Sequence, residues 1–376
     1  MLFTNARIFL PDRGFVRGGF ALNGERFAEI FEGGATGGID LQGATVLPGL
    51  IDIHIHGAMG ADFSDGDTDG LERMAKYLAQ NGVTSFAPAS MTLPYDTIAA
   101  AISTAVRLNE ARPRGCARVM GVHMEGPFFS EKKKGAQNGE YLRLPDYEAF
   151  CTLYDKSRGM LRIVDIAPEL EGASDFTARA SELCTVSVAH TDAEYEQASA
   201  VFGAGATHLT HLYNAMPPIH HRKPGVIGAA SENGRVTAEL ICDGLHVHPS
   251  SVRMAFRLFP GRICLISDAL RCCGMPDGEY ELGGQTVTLS GGVARLPDGT
   301  IAGAASNLFR DMKNAVDFGI PLEDAVLSAT LIPAREICRE DEIGSVEAGK
   351  LADFLICGEQ LELKEVWIGG EPVTGA

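Results

Sequence analysis

Eight short apolar runs, separated by helix-compatible segments, constrain the fold of this chain most strongly. Their spacing is that of successive strand–helix units, and eight such units predict a (β/α)8 TIM-type barrel of the α/β class. The runs are nearly continuously apolar, which is typical of parallel strands that are buried on both faces. They cover residues 50–56, 84–90, 118–125, 162–169, 185–191, 207–214, 237–246 and 263–269.

The segments between the runs predict helices over 71–82, 97–111 and 192–205, the first ended by an Asn-Gly pair. The two ends of the chain differ from this pattern, because they contain short strand-like pieces with glycine-rich turns. We therefore expect a barrel over 49–340 and a small β-sandwich domain formed by both termini, from 1–48 and 341–376.

Composition narrows the class of protein. The 376 residues carry a formal net charge of −17, which argues against nucleic-acid or membrane-surface partners, although a few local cations could still hold a small anion. The nine cysteines follow no regular spacing, which favours a reducing, cytoplasmic compartment. We recognise no secretory signal and no apolar window of about 18 residues that would span a membrane.

Polar residues fall at the C-terminal ends of six of the predicted strands, where the chemistry of a barrel of this kind is found. Singly, a histidine there is usually a satisfied core residue, and an aspartate can cap a helix. Together they predict one site, and its imidazoles and carboxylates suit zinc, iron, manganese or cobalt. The residues are His54, His56, Glu125, His190, His211, His246 and Asp268. Because side chains two apart on a strand share a face, His54 and His56 point the same way.

Four other features of the sequence also suggest a role: one more histidine, two basic loops and a pair of cysteines. His123 is expected to have a structural or supporting role. The basic loop 131–134 is expected to be solvated, whereas 220–223 lies near the predicted mouth, where Arg222 could bind a phosphate. Cys272 and Cys273 are expected to pack or to belong to a mobile lid.

Several motifs together resemble the amidohydrolase superfamily, and within it the N-acetylglucosamine-6-phosphate deacetylases. The resemblance extends over nearly the whole chain, and HLYNAM with HHRKPG and the glutamate of EGP narrow it to the deacetylases. The motifs are PGLIDIHIHG, GVHMEGPF, VAHT, THLYNAMPPIHHRKPG, ICDGLHVHP, LISDAL and GSVEAGKLADF.

The resemblance implies hydrolysis of the acetamide of a small sugar phosphate, N-acetylglucosamine 6-phosphate. It implies that Glu125, His190 and His211 bind the main catalytic metal ion, and that Asp268 is first the general base and then the acid. It also implies a homodimer, in which Arg222 could reach the neighbouring subunit's phosphate. The residues implied to contact substrate are Ala136, Gln137, Asn214, Ala215, Arg222, His246, Ile301, Ala302 and Gly303. Gln137 departs from the pattern, because some members of the family have histidine there.

Many members of the superfamily bridge two metal ions with a carboxylated lysine on the fourth strand, but here that strand reads RIVDIAPE. Glu125 is the available carboxylate, and it could bridge to a second ion held by His54 and His56. We therefore expect one or two divalent ions per subunit, zinc first, with iron, manganese or cobalt as alternatives. Other hypotheses remain open: a deacylase of N-acetylgalactosamine 6-phosphate or of N-acyl-amino acids, a cyclic-amide hydrolase, or a non-catalytic scaffold.

Overall fold

The chain begins with strands of a small β domain in the computed structural model, which describes residues 1–374. The first strand pairs antiparallel with the second and parallel with the fourth and fifth. The strands are β1 (Leu2–Leu10), β2 (Gly14–Asn23), β3 (Arg26–Glu32), β4 (Ile39–Asp40) and β5 (Thr45–Pro48).

The eight apolar runs form the parallel strands of a barrel, so the predicted fold is confirmed. The barrel closes where the last strand meets the first: the Asp268 amide donates to the His54 carbonyl and the His56 amide to the Ala269 carbonyl, both at 2.9 Å. A two-stranded hairpin, β7 and β8, follows the first barrel strand. The elements are β6 (Leu50–Ile55), β7 (Gly57–Ala58), β8 (Ala61–Asp62), β9 (Val83–Ser90), β10 (Arg118–Val119), β11 (Val122–Met124), β12 (Leu161–Ile166), β13 (Thr185–Val188), β14 (His208–Leu209), β15 (Thr237–Ile241) and β16 (Ile263–Ile266).

Some strands end earlier than the apolar runs predict. The third is divided into β10 and β11, and the sixth extends only over β14 before the chain turns. β15 ends at Ile241, so the prediction that His246 lies at a strand end is wrong. That side chain lies in the following loop, where Asp243 accepts from the amides of Leu245 and His246 and fixes the turn.

The helices alternate with the barrel strands, and the three that the sequence predicts are present with shifted ends. The first begins at Thr68 because the side chain of Asp67 accepts from the amides of Asp69 and Gly70. Single 3-10 turns cover Phe63–Asp65, Glu131–Lys133 and Gly139–Tyr141. No helix of the described residues is long and apolar enough to cross a membrane. The helices are α1 (Thr68–Gln80), α2 (Tyr95–Ala111), α3 (Tyr147–Lys156), α4 (Ala173–Ala180), α5 (Tyr195–Ala204), α6 (Gly225–Glu232), α7 (Pro249–Leu258), α8 (Leu308–Asp317), α9 (Leu322–Ala329) and α10 (Leu331–Glu336).

A three-stranded antiparallel sheet is inserted between the last barrel strand and α8. It consists of β17 (Gly278–Leu282), β18 (Gln285–Ser290) and β19 (Val293–Arg295). Leu282 joins an apolar cluster that includes Met91 and Leu270. Because Gln285 also donates to the carbonyl of Ala136 at 2.6 Å, the insertion lies beside the mouth of the barrel.

The chain returns to the β domain with β20 (Phe354–Cys357), β21 (Leu363–Ile368) and β22 (Glu371–Pro372). Strands from both termini therefore form one β domain, as the sequence predicts, but they share a single sheet in the order β22-β21-β20-β5-β1-β2-β3 rather than the expected sandwich. The sheet curls over an aromatic core, so that Phe20 on β2 lies 5.0 Å from Phe354 on β20 between ring centroids. Burial of each ring contributes on the order of 2 kcal/mol relative to exposure.

Candidate metal centre and active site

The C-terminal ends of the barrel strands open into a cavity of about 200 Å³. A larger cavity of about 520 Å³ lies at the other end of the barrel, against the β domain, and none of the predicted site residues lines it. The smaller cavity is therefore the candidate site. Its lining residues are His56, Met91, Glu125, Gly135, Ala136, Gln137, His190, His211, Asn214, Ala215, His246, Asp268, Leu270, Leu282, Thr300, Ile301 and Gly303.

Glu125, which follows β11, lies at the centre of this site and is buried. Its Oε1 is 3.2 Å from His190 Nε2, 3.3 Å from His211 Nε2 and 3.5 Å from His54 Nε2. Its other oxygen, Oε2, lies 3.4 Å from His56 Nε2. One carboxylate thus contacts four imidazoles: Oε2 faces His56, and Oε1 faces the other three.

The Nδ1 atoms of three of these histidines face groups that can only accept a hydrogen bond. His54 Nδ1 donates to Glu239 Oε2 at 2.8 Å, His56 Nδ1 to the Ala89 carbonyl at 3.1 Å, and His190 Nδ1 to the Lys133 carbonyl at 2.9 Å. In a neutral imidazole a proton on Nδ1 leaves a lone pair on Nε2. This is the arrangement of metal-ligating histidines, whose second nitrogen is fixed by an oxygen acceptor.

Asp268 follows β16 and lies beside the same imidazoles. Its Oδ1 is 3.3 Å from His56 Nε2 and 3.8 Å from His54 Nε2. Burial alone would raise the pKa of Asp268, but the hydrogen bond with His56 and the charges of both histidines lower it below its usual value. The carboxylate is therefore ionised at neutral pH and able to accept a proton.

The protonation of the other groups reflects the same mutual attraction. Burial opposes ionisation of Glu125, but its short contacts with the imidazoles of His190 and His211 hold the pKa of that carboxyl well below its usual value. Burial likewise disfavours the imidazolium forms, yet hydrogen bonds and charges from Asp268 and Glu125 raise the pKa of His56 and of His211 to about 9. When no other cation is bound, the ionised carboxylates of Glu125 and Asp268 thus favour the imidazolium forms of His56 and His211.

The donor set fits divalent metal ions. The ligand atoms of Glu125, His190 and His211 lie within 4.8 Å of one another, as do those of His54, His56 and Asp268. His54 Nε2 is buried and has no hydrogen-bond partner among the described residues. His190 Nε2 and His211 Nε2 lie only 3.1 Å apart, so that a proton or a cation must separate their lone pairs. Imidazole and carboxylate ligands of this kind suit zinc and other first-row metals.

Three of these residues have backbone conformations that L-amino acids rarely adopt. The φ angles of His190, His211 and Asp268 are 44°, 30° and 48°. Each costs on the order of 1 kcal/mol relative to an ordinary conformation. Each residue lies at a sharp turn after its barrel strand, which aims its side chain into the cavity.

Most of the residues implied to contact substrate line the cavity, namely Ala136, Gln137, Asn214, Ala215, His246, Ile301 and Gly303. Ala302 is buried beside them but does not reach the cavity surface. His246 is held by Asp243, whose Oδ2 lies 2.7 Å from His246 Nδ1.

The side-chain amide of Gln137 has a fixed orientation. Its Oε1 accepts from the amide of Thr92 at 2.7 Å, so its nitrogen faces Glu125 and donates to Oε2 of that carboxylate. Gln137 is therefore placed to orient Glu125.

Arg222, another predicted substrate residue, also lies outside the cavity of its own chain. It is exposed, and its Nη1 lies 2.7 Å from Nε2 of the neighbouring His221. The described residues that line the cavity include no lysine or arginine. A phosphate bound at this mouth would therefore need a cation from elsewhere.

The remaining predicted features have structural roles. Cys272 and Cys273 are buried, and burial raises their thiol pKa values to about 11 and about 12, which agrees with packing rather than thiolate chemistry. Lys132 in the basic loop pairs with Asp192 at 3.0 Å, but the carbonyl of Lys133 orients His190, a role that the sequence does not reveal.

A second layer of polar residues lies inside the barrel, and the spacing of the sequence motifs does not reveal it. Glu239 on β15 and Asp165 on β12 are fully buried. Glu239 binds His54, and Asp165 Oδ1 lies 2.8 Å from Nε2 of the equally buried His123. The available signal is a carboxylate within an otherwise apolar strand, since such a group needs a buried partner.

Comparison with known proteins identifies the family. The model of the amidohydrolase family matches residues 45–373. The N-acetylglucosamine-6-phosphate deacetylase of Vibrio furnissii is 35% identical over 374 residues, which cover 99% of this chain and 92% of that protein. The N-acetylgalactosamine-6-phosphate deacetylase of Escherichia coli O157:H7 is 36% identical over 330 residues, or 87% of each chain.

A solved structure shows the same architecture at a similar level of identity. The N-acetyl-D-glucosamine-6-phosphate deacetylase of Mycobacterium smegmatis, a mutant in complex with N-acetyl-D-glucosamine 6-phosphate, superposes with a TM-score of 0.94 at 32% identity and 99% coverage of both chains. This chain belongs to the amidohydrolase family, whose members depend on metal ions. The closer resemblance to the N-acetylglucosamine-6-phosphate deacetylases is also confirmed.

Proposed function

We propose that this protein hydrolyses N-acetyl-D-glucosamine 6-phosphate to D-glucosamine 6-phosphate and acetate, in the breakdown or recycling of amino sugars. The observation that carries the proposal is the meeting of Glu125, four histidines and Asp268 at the mouth of the barrel. The similarity to deacetylases over the full chain supplies the substrate class. The nine cysteines, none of them in a disulfide, support a cytoplasmic location.

We further propose that Glu125, His190 and His211 hold one divalent ion, and that His54, His56 and Asp268 hold a second, with Glu125 shared between them. Zinc is the expected metal, and iron, manganese and cobalt suit the same ligands. Such an ion supplies two effects: it lowers the pKa of a water molecule and it polarises the carbonyl of the acetamide.

Asp268 carries the proton in this proposal. As an ionised carboxylate at the cavity wall, it accepts the proton of the water that attacks the acetamide carbon. It then donates that proton to the amide nitrogen as the C–N bond breaks, because the amine must leave protonated. The products are acetate and the free amino sugar.

The sugar and its phosphate lie farther out in the cavity. Asn214 and His246 offer polar side chains there, and the backbone near Ala136, Ala215 and Ile301 offers further hydrogen bonds. Since the described lining residues include no lysine or arginine, we propose that Arg222 of a second copy binds the phosphate in a homodimer. The exposure of Ile219 and Leu245, at 49% each, supports an interface at these loops.

A panel of N-acetylated substrates tests the reaction. We expect acetate release to be fastest with N-acetylglucosamine 6-phosphate and much slower with unphosphorylated N-acetylglucosamine and N-acetyl-amino acids. Comparable or faster release from an N-acetyl-amino acid would contradict the proposal. The similarity to the E. coli O157:H7 protein makes N-acetylgalactosamine 6-phosphate the second candidate, and faster turnover of that epimer would favour it.

The role of Asp268 is tested by Asp268→Asn. Loss of a general acid–base group typically costs about 10²–10⁴-fold in rate, so we expect kcat to fall by that factor. Elemental analysis should still find the ion held by Glu125, His190 and His211, because Asp268 is not among its ligands. A variant with full activity would rule out the proposed role.

The second ion is tested by combining His54→Gln with His56→Asn. We expect the metal content to fall from about two ions per subunit to about one, because the Glu125–His190–His211 ligands are unchanged. The same content in wild-type and variant protein would refute the second site. Purified wild-type protein without stoichiometric metal would instead favour the non-catalytic scaffold.

A further inference from the structure

A network of buried polar side chains fills the barrel beneath the candidate metal centre. Asp165 Oδ1 accepts from His123 at 2.8 Å and from Thr210 at 3.1 Å, and Thr210 lies 2.6 Å from the hydroxyl of Ser187. Ser187 in turn lies 3.0 Å from His208 Nδ1. Polar groups are costly to bury unless they are hydrogen-bonded. This cost indicates that the network does more than fill the interior of the barrel.

Glu239 adjoins this network, since its Oε1 lies 3.9 Å from His123 Nδ1 and from His208 Nε2, and it also reaches the metal centre. It is fully buried on β15, and its Oε2 makes two contacts. It accepts from His54 Nδ1 at 2.8 Å and from the backbone amide of His211 at 3.1 Å. The same oxygen therefore touches one proposed ligand of each ion.

We propose that Glu239 is a positioning residue that keeps the proton of His54 on Nδ1 and so presents the Nε2 lone pair to the second metal ion. This inference rests on the proposed two-ion function. A carboxylate cannot donate, so His54 must donate through Nδ1, and its Nε2 is the atom that lies 3.5 Å from Glu125 Oε1. The outer partners of metal-bound histidines act in this way on ring orientation and basicity.

Glu239 also forms a group with His54 and His123 whose ligand atoms lie within 4.8 Å of one another, which could suggest a third ion. The hydrogen bonds favour the positioning role instead. Both ring nitrogens of His123 are engaged, Nδ1 with the carbonyl of Ile53 at 3.2 Å and Nε2 with Asp165.

The test is Glu239→Gln, with Asp165→Asn as the matched control. Both changes replace a buried carboxylate of the same network by an amide of the same size, but Asp165 does not touch His54. The Kd of each metal ion is measured by chelator competition on the full-length apoprotein, together with the number of ions per subunit. We expect Glu239→Gln to weaken the second ion about 10–100-fold, the range for lost outer partners, and the first ion less than about threefold. Asp165→Asn should change both values less than about threefold.

Other outcomes overturn the inference in distinguishable ways. If wild-type protein binds two ions and Glu239→Gln binds both as tightly, Glu239 does not position His54, although the proposed function stands. If Asp165→Asn weakens the second ion as much as Glu239→Gln does, the network acts only as general support. If wild-type protein binds three ions, Glu239 is itself a ligand. If it binds only one, the two-ion proposal is wrong, and the positioning role is wrong with it.

Discussion

Metal binding to this site should release protons, and their number follows from the charges at the site. The pKa values of His56 and His211 are raised to about 9, chiefly by Asp268 and Glu125 against the opposing effect of burial. Both rings are therefore protonated at pH 7 in the apoprotein. An ion at Glu125–His190–His211 displaces the proton of His211, and an ion at His54–His56–Asp268 displaces that of His56. We expect about one proton per ion at pH 7.5.

The sign and size of the pH dependence follow from competition between proton and metal. As the pH falls below 9, the affinity for each metal ion should decrease about tenfold for each pH unit. Above pH 9 the affinity should become constant. At pH 7, below these pKa values of about 9, each ion should bind roughly 100-fold more weakly than at high pH.

The assay is calorimetric titration of the apoprotein in two buffers of different ionisation enthalpy, which yields the number of protons released. His56→Asn is the matched variant, and it should remove the proton that belongs to the second ion. Ionisation of a water molecule on the metal can only add protons to the count. A release below about half a proton per ion at pH 7.5 would therefore refute the charge balance described for the site.

Two further predictions concern the surface and the core. Arg222→Ala should raise KM for the phosphorylated substrate by about tenfold or more with little change in kcat, because a lost charged hydrogen bond costs roughly 1.5–3 kcal/mol; an equal loss with unphosphorylated N-acetylglucosamine would contradict phosphate binding there. Asp311 is fully buried on α8, and burial raises its pKa well above the usual value despite the hydrogen bond from Ser306. A raised carboxyl pKa favours the fold fully below the unfolded value of 3.8 and progressively less as pH rises through the folded pKa. Asp311→Asn should therefore gain thermal stability relative to wild type from pH 5 to pH 8, and a difference that does not change with pH would contradict this.

The periodicity of the sequence was sufficient to predict the barrel because each strand–helix unit repeats the same local pattern. His54 and His56 could be assigned to one face from their spacing alone. The side chains of Glu125, His190 and Asp268 could be brought together because strand ends of a barrel share one rim.

The local sequence pattern could not predict where the chain turns away from each barrel strand. His246 lies five residues beyond the end of β15 and reaches the cavity through a loop that Asp243 fixes. The sixth barrel strand, β14, has only two residues, because the chain enters a left-handed turn at His211. Such turns depend on tertiary hydrogen bonds, here from the His211 amide to Glu239, which no local propensity encodes.

The polar side chains inside the barrel have a function that apolar side chains could not perform. His54 and His56 both reach the metal site at the end of β6, and Asp52 and His54 are as buried as any apolar residue. An interior of branched aliphatic side chains would pack this barrel without the cost of burying carboxylates. Each buried carboxylate instead meets a histidine or a backbone amide, and Glu239 extends this contact to both proposed ion sites. Because these bonds are directional, they restrict the imidazoles to one tautomer and one orientation, which a metal centre needs and an apolar core cannot provide.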